Sequence, residues 1–397
     1  MTSTIAQRLR HPLRIPSLAL CIGAVCAAIL VACGGGNDSN ITLPNIVKTA
    51  QLSGDQQTPA VTTGAIGTGT LTLDPNTLAL SGSITLDGMT ATQAHIHEAA
   101  PGSAGSVVVD LAAGSGGTWT VPAGAVLTTA QAASFKAGNL YFNAHSSAAP
   151  AGEVRGQIGL NIYSTTASSA QNVVAAGSTA PVSSASAHGF LAVDPDTKIA
   201  TGSFTTTGLS ATAAHVHQGA VGTNGSVVLE LSEATAGSGI WRVAANSQLT
   251  DAQVQTLKDG GMYFNAHTAA YPAGEIRGQI HRKPGFAALT GDQQVPSVTT
   301  TSTGSGTLVV NPADRSVSGK LSLRGFTATM AHVHQAPSGS NGNVVLDLSA
   351  SGSGWSVASG AQLSAAQYLA FQKGDLYFNA HSTSFPAGEV RGKITAK

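Results

Sequence analysis

Each of three long segments of the chain begins with apolar and small polar residues in alternation, the pattern of a β-hairpin. Residues 67–73 alternate, residues 74–76 (Asp-Pro-Asn) provide a turn, and the alternation returns over residues 78–86. Apolar residues at every second position indicate a strand with one buried face, and Asp-Pro-Asn is typical of a turn. The design returns at residues 191–196 and 308–313. The pattern therefore predicts an antiparallel hairpin in each segment.

One short helix is predicted in each segment. Thr128 and Gln131 form a capping box, and Lys136 and Gly138 end the helix as the rules for helix dipoles and C-caps require. The other segments repeat these signals at Thr250, Gln253, Lys258 and Gly260, and at Ser364, Gln367, Lys373 and Gly374. Many short strands with one small helix are typical of a β-sandwich or Greek-key barrel. We therefore predict an all-β chain of three tandem Greek-key β-sandwich or barrel domains, each with one short helix, whose cores are anchored by Trp119, Trp241 and Trp355.

Three motifs recur in every segment. They are His-x-His within residues 94–97, 214–217 and 331–334, Tyr-Phe-Asn-Ala-His at residues 141–145, 263–267 and 377–381, and Pro-Ala-Gly-Glu-x-Arg-Gly at residues 150–156, 272–278 and 386–392. The His-x-His copies lie 120 and 117 residues apart, a period too long for a solenoid and suited to independent domains. We predict domains at residues 47–160, 164–282 and 285–397.

The segments between these domains are short, so we expect neighbouring domains to touch. The predicted linkers are residues 161–164 and 283–285. The second repeat departs from the others at its start, where residues 171–174 stand in place of the Gly-Asp-Gln-Gln of residues 54–57 and 291–294.

Taken together, the three motifs resemble the CHRD domain, a family named after chordin. The resemblance covers nearly all of the chain after residue 47, three times over. It implies extracellular β-domains of the kind found in animal chordins and in bacterial exported proteins. It therefore implies a fold and a compartment more firmly than an activity.

The N-terminus has the form of an export signal. Three arginines (Arg8, Arg10, Arg14) precede an apolar run over residues 15–32, which ends at Cys33. A basic segment, an apolar core and a small-residue site are typical of a secretory signal. Leu-Val-Ala-Cys at its end resembles a bacterial lipoprotein signal, in which the cysteine is lipidated. An uncleaved transmembrane anchor is the alternative, because 18 apolar residues are borderline for spanning a bilayer.

We predict a signal peptide over residues 1–32, a lipidated tether over residues 33–46, and attachment to the membrane of a bacterial cell envelope through Cys33. The resemblance to bacterial lipoproteins also implies sorting to the outer membrane, because Gly34 and not an aspartate follows the cysteine. Cys21 and Cys26 would leave with the signal, so the mature chain would have no disulfide and no thiolate metal site.

Composition narrows the classes of function. Charged residues make up only 10% of the chain and its formal net charge is +0, which argues against nucleic acid as a partner. No Gly-x-Ser-x-Gly motif and no recurring pair of carboxylates is present, so we do not predict an enzyme.

The histidines of the motifs are the candidate chemistry. His95 and His97 are two residues apart on a predicted strand and leave the same face, with Cα atoms roughly 6.5–7 Å apart. His145 ends another strand, on the same face as Tyr141 and Asn143. If the two strands are neighbours, three imidazoles converge and suit Cu²⁺ or Zn²⁺. We predict one metal ion per domain, copper in preference to zinc, at the nine residues His95, His97, His145, His215, His217, His267, His332, His334 and His381.

Polar residues near the third histidine are predicted to support the site. Glu153 lies across a hairpin loop from His145 and can orient its ring as a hydrogen-bond acceptor, although pairing of Glu153 with Arg155 is the favoured interpretation. Asn143 is expected to bond to a neighbouring turn. The full set of supporting residues is Asn143, Glu153, Arg155, Asn265, Glu275, Arg277, Asn379, Glu389 and Arg391.

Three alternatives to a metal-binding protein without enzymatic activity remain. The histidines can belong to a polar network with only a structural role. Three tandem domains can also serve as an adhesion module that binds an envelope or extracellular protein with avidity. A redox enzyme similar to copper/zinc superoxide dismutase is the least favoured, because its bridging histidine, zinc-site aspartate and disulfide are missing. His188 and His281 occur once each and are expected at the surface.

Overall fold

The computed structural model describes residues 42–174, 179–312, 314–352 and 354–396. The predicted signal peptide, Cys33 and the predicted tether as far as residue 41 lie outside the described residues. Leu43–Lys397 forms one compact unit that contains three separate hydrophobic cores. Within the described ranges, no helix is both long enough and apolar enough to cross a membrane.

Short strands make up most of each domain. The elements of the first domain are β1 (Ile46–Ser53), β2 (Ile66–Leu73), β3 (Leu80–Asp87), β4 (Gln93–Glu98), β5 (Ser106–Asp110), β6 (Ala112–Ala113), β7 (Thr118–Thr120), α1 (Thr129–Lys136), β8 (Leu140–His145) and β9 (Val154–Gln157). Those of the second are β10 (Asn161–Ser168), β11 (Ser186–Val193), β12 (Ala200–Thr207), β13 (Ala213–Gln218), β14 (Val227–Glu233), β15 (Ile240–Val243), α2 (Asp251–Lys258), β16 (Met262–His267) and β17 (Ile276–Gln279).

The third domain repeats this order of elements. They are β18 (Lys283–Thr290), β19 (Thr303–Val310), β20 (Val317–Arg324), β21 (Met330–Gln335), β22 (Asn343–Ser351), β23 (Gly354–Val357), α3 (Ala365–Lys373), β24 (Leu376–His381), β25 (Val390–Lys393) and β26 (Thr395–Ala396).

The strands of each domain form one antiparallel sheet that curls into a barrel. In the second domain, the described strands close in the order β10-β11-β12-β15-β14-β13-β16-β17. The first domain has the same order when β5 and β6, which are separated at Leu111, are counted as one strand, and the third adds β26 beside β18. The connection from β12 to β13 crosses β14 and β15, which is a Greek-key arrangement. The predicted all-β architecture of three tandem domains is confirmed.

The helices form as the sequence predicts. In all three, the N-cap side chain accepts from the backbone of the glutamine three residues later, and that glutamine bonds back to the N-cap. Gly138, Gly260 and Gly374 follow the helices with φ of 75°, 72° and 75°, a conformation that glycine adopts without a steric penalty. Trp241 is buried, whereas Trp119 and Trp355 are half-buried against their cores.

The predicted linkers are not separate segments. Residues 161–164 are the first half of β10, and residues 283–285 begin β18. Residues 158–160 alone separate β9 from β10, and residues 280–282 alone separate β17 from β18.

The first and third domains also contact each other. Lys283 Nζ lies 2.6 Å from Asp55 Oδ1, and Gln372 donates to the carbonyl of Thr63 at 2.8 Å. Gly64 packs so closely that a Cβ there would lie 2.0 Å from the carbonyl oxygen of Ala365. These contacts join domains that are distant in sequence.

The expectation that His188 and His281 lie at the surface is wrong. His188 is half-buried, and His281 is 9% exposed with its ring edge-on to Tyr163, at a centroid distance of 4.9 Å. Burial, with the charge of Arg282 adding to it, lowers the pKa of the His281 imidazole to about 4. His281 has a φ of 60° and takes the place that Gly159 has in the first domain.

Replacing His281 by asparagine is expected to flatten the acid dependence of stability. A histidine with a folded-state pKa near 4 and an ordinary pKa of 6.5 when unfolded binds its proton mainly in the unfolded chain. As the pH falls from 6.5 to 4, protonation of His281 in the unfolded chain should therefore lower the free energy of unfolding of wild type by about 3 kcal/mol. Asparagine tolerates a positive φ and does not titrate. Urea unfolding at several pH values measures the difference, and parallel curves for wild type and His281→Asn would contradict it.

Candidate metal centre

The strand with His-x-His pairs directly with the strand that ends in the third histidine. In the β4–β8 ladder, His95 lies opposite Asn143, His97 opposite Tyr141, and Gln93 opposite His145. Residues that oppose each other across an antiparallel pair point to the same face. The same register holds for β13 with β16 and for β21 with β24. We call the three histidines of a domain its trio and number them first, second and third in chain order.

The rings of each trio converge. His95 Nδ1 lies 3.1 Å from His145 Nε2, and the equivalent distances in the second and third domains are 3.0 Å and 3.2 Å. The ring of His97 lies 5.6 Å from that of His95 and 6.4 Å from that of His145. In every domain, one nitrogen from each histidine lies within 4.8 Å of the other two. The predicted gathering of the nine histidines in threes is present, and each group could hold a metal ion.

Backbone carbonyls fix the orientation of two rings in each trio. His97 Nδ1 lies 2.9 Å from the carbonyl of Gly105, and His145 Nδ1 lies 2.9 Å from that of Pro150. A carbonyl only accepts, so both Nδ1 atoms carry hydrogen and both Nε2 atoms keep a lone pair. The other two domains have the same contacts at 2.9–3.0 Å. Among the described residues, His97 Nε2 is buried with no hydrogen-bond partner, as are the equivalent atoms of His217 and His334.

A stack of aromatic and cationic groups holds the second histidine. The ring of Tyr141 is stacked on that of His97 at 5.0 Å and 12°, and its hydroxyl accepts from Gly105 N at 3.1 Å. The guanidinium of Arg155 lies 3.6 Å from the centre of the tyrosine ring and donates to the carbonyl of Ser103 at 2.7 Å. The loop that supplies the carbonyl for His97 is thus held by hydrogen bonds to both Tyr141 and Arg155.

The predicted supporting residues lie near the trio, but the contacts of the glutamate and the arginine differ from the expected ones. The expected bond of the asparagine to a neighbouring turn is present at Asn265 and Asn379, which donate to the carbonyls of Ala273 and Ala387 at 3.5 Å and 3.4 Å, while Asn143 accepts from Gln57 at 2.6 Å. Glu153 accepts from the hydroxyls of Thr63 and Ser146. Within the described ranges, no ion pair joins Glu153 to Arg155, so the favoured pairing is wrong. The arginine faces the tyrosine and loop carbonyls, while the glutamate faces hydroxyls. The carbonyl of Pro150, rather than Glu153, accepts a hydrogen bond from the ring of His145.

The rings of the second histidines are held in their neutral form. Burial lowers the pKa of His97, and the neighbouring histidines and Arg155 lower it further, while the hydrogen bond to Gly105 opposes the change. The pKa values of His217 and His334 are lowered for the same reasons. Burial also lowers the pKa of His95. A neutral imidazole is the form that binds a metal ion.

An acidic residue beside each first histidine was missed by the sequence reasoning. Asp110, Glu230 and Asp347 lie opposite the first histidines across the β4–β5, β13–β14 and β21–β22 ladders. Their carboxylate oxygens are 3.6, 2.9 and 3.7 Å from Nε2 of those histidines. The signal was available, because an acid follows the first histidine by 15 residues in every copy.

Three consecutive segments of the chain match the family model of the CHRD domain, over residues 48–158, 163–280 and 286–394. A search of curated proteins and a search of solved structures gave no significant match.

The residues of the second repeat that align with Gly-Asp-Gln-Gln lie two positions earlier than the sequence comparison suggested. Residues 169–172, and not 171–174, occupy the position of Gly-Asp-Gln-Gln, because Ser169–Gln171 forms the short 3-10 helix found there in each domain. Asn172 therefore stands where Gln57 and Gln294 bond to the asparagine of the strand. It donates instead to the carbonyl of Glu275, and Asn265 Oδ1 is buried without a partner.

Lengthening this side chain should stabilise the second domain. In Asn172→Gln, the amide is expected to reach Asn265 as Gln57 reaches Asn143, which would add about 1 kcal/mol to the free energy of unfolding. The reciprocal change Gln57→Asn should lower the free energy of unfolding of the first domain by a similar amount. Each domain has its own tryptophan, so fluorescence of variants that keep one tryptophan can assign the transition. Equal stability of Asn172→Gln and wild type would count against this interpretation.

Proposed function

The chain belongs to the CHRD family, and we propose that each of its three domains binds one metal ion, copper in preference to zinc, through its trio. The observation that carries the proposal is the buried Nε2 of the second histidine. In all three domains, this atom has no hydrogen-bond partner in the part of the chain that the structure describes, and it lies beside the other two rings.

A metal ion can bind the lone pairs of all three rings, whereas a single proton cannot. The carbonyls of Gly105 and Pro150 leave lone pairs on Nε2 of His97 and of His145. A single proton on His95 Nδ1 can serve His145 at 3.1 Å, but it leaves His97 Nε2 without a partner. One metal ion among the three nitrogens would use every lone pair.

The distances also suit an ion. Two nitrogens that are each about 2.0–2.1 Å from one ion and about 100° apart lie about 3.1 Å from each other. The first and third histidines have their nitrogens 3.0–3.2 Å apart in the three domains. The nitrogen of the second histidine lies within 4.8 Å of the other two, so the second ring would move toward them where it binds a common ion.

Ligand chemistry supports the order of metals. Neutral imidazole nitrogens suit both copper and zinc, and sites of this kind bind Cu²⁺ more tightly in the Irving–Williams order. Three protein ligands leave at least one coordination position for water or another ligand. The role that we assign to such a site is sequestration or handling of the ion.

The cellular setting belongs to the same proposal. The N-terminal sequence supports export and a lipid on Cys33, which would hold the three domains at a bacterial envelope membrane, the outer membrane being favoured by Gly34. An envelope or extracellular protein partner fits that setting as well.

Titration of the compact unit Leu43–Lys397 with Cu²⁺ should show three equivalents bound. His217→Ala should remove one equivalent and leave two, because only the trio of the second domain loses a ligand. Calorimetry and elemental analysis after gel filtration both measure the stoichiometry.

His188→Gln provides the matched control, since it removes a histidine that belongs to no trio, and it should retain three equivalents. Uptake that is absent in wild type, or equal in wild type and His217→Ala, would reject the proposal. The structural network or the adhesion module would then be the better interpretation.

Replacing Cys33 by serine in the full chain should release the protein from membranes. Serine cannot form the thioether link of a lipid anchor, so the protein should move from the detergent-soluble membrane fraction to the aqueous fraction. Fractionation of cells that express each form measures this, and an unchanged membrane fraction would favour the uncleaved transmembrane anchor.

A further inference from the structure

The acid beside each first histidine is placed by the fold and not by a flexible loop. Asp110, Glu230 and Asp347 each lie directly opposite the first histidine of their domain in an antiparallel ladder. Side chains in directly opposed positions have Cβ atoms roughly 4.5–5.5 Å apart on one face of the sheet. Backbone pairing therefore directs the carboxylate to the outer edge of the imidazole in every domain.

The length of the side chain decides whether a hydrogen bond forms. Glu230 Oε2 lies 2.9 Å from His215 Nε2, within the range of a hydrogen bond. The oxygens of Asp110 and Asp347 lie 3.6 Å and 3.7 Å from His95 and His332, which is beyond it. One additional methylene group accounts for the difference, because the backbone register is the same.

A carboxylate that accepts a hydrogen bond from Nε2 also determines the state of Nδ1, on the opposite side of the ring. When Nε2 donates its hydrogen to the acid, Nδ1 keeps the lone pair that faces the third histidine. An acceptor of this kind fixes the tautomer and orientation of a ligand histidine and increases its basicity. Loss of such a partner typically lowers metal affinity 10–100-fold, roughly.

We propose that this acid is a positioning residue for the first histidine, and that Glu230 makes the second domain the tightest of the three metal sites. The inference rests on the proposed function, since it concerns the affinity of the same trios. The three sites would then fill in order, with the second domain first.

Other differences between the sites act against this order, so a comparison within one domain is needed as well, to isolate the effect of the acid. His217 and His267 are more exposed than His97 and His145. The carboxylates themselves are 73–88% exposed, which weakens any simple charge attraction. An exchange of aspartate and glutamate changes the hydrogen bond while it leaves the charge and the trio unaltered.

The affinity experiment uses chains that retain one trio. His97→Ala with His334→Ala leaves the site of the second domain, and His217→Ala with His334→Ala leaves that of the first. Competition with a chelator for Cu²⁺ should give about 10-fold tighter binding for the second domain. Glu230→Asp should weaken binding at the second domain about 10-fold, and Asp110→Glu should strengthen it at the first. Affinities that do not respond to either exchange would overturn the inference.

A second measurement uses the diamagnetic Zn²⁺ form. When Nδ1 of His215 faces the ion, the ring hydrogen lies on Nε2 and should be protected from exchange with water by the 2.9 Å hydrogen bond to Glu230, and the protection should disappear in Glu230→Asp. Nitrogen-15 NMR of the imidazole groups detects both the bound ion and this hydrogen. A bound ion with an unprotected hydrogen in wild type would overturn the inference alone. Imidazole signals that Zn²⁺ does not shift would instead reject the proposed function, and the inference with it.

Discussion

The register between the His-x-His strand and its neighbour is the constraint on which the site depends. Ala94 and Ile96 alternate with the first two histidines, and both are buried in the core of the barrel. On the partner strand, Phe142 and Ala144 alternate with Asn143 and His145 and are also buried in the core. A slip of one residue would turn the apolar side chains to the outside and the imidazoles into the core. The burial of four apolar residues on one face of the sheet therefore determines where the three rings meet on the other.

Loops then cover the outward-facing rings, and glycines make the cover possible. Gly105 bonds the second histidine through its carbonyl, and a Cβ at this position would lie 1.9 Å from the carbonyl oxygen of Glu98. The equivalent distances at Gly225 and Gly342 are 1.5 Å and 1.8 Å. Only glycine allows the loop to approach so closely. The Gly-rich turn after each His-x-His is thus part of the site, because it supplies the acceptor that fixes a ring.

Much of this could be predicted from the sequence, and the failures have a common cause. Alternation, turn residues and capping boxes are local signals, so the strands and helices followed from them, and repetition of the motifs identified the histidines. Contacts between strands and across domains are not local. The acid opposite His95, the hydroxyl partners of Glu153 and the burial of His281 all depend on which segments become neighbours. The misaligned start of the second repeat has the same origin, since only the structure shows that Gln171 is the counterpart of Gln56.

The choice between a structural network and a metal site turns on one atom. A polar network with a structural role satisfies its buried groups, and a buried nitrogen without a partner costs roughly 1–3 kcal/mol. Nε2 of the second histidine has no hydrogen-bond partner within the described ranges of the first, second or third domain. The surroundings differ, since the second domain has lost the glutamine that bonds to Asn265 and has gained a longer acid beside His215. An unsatisfied atom that recurs in three differing environments, with its lone pair beside two other imidazoles, favours a ligand that all three rings share.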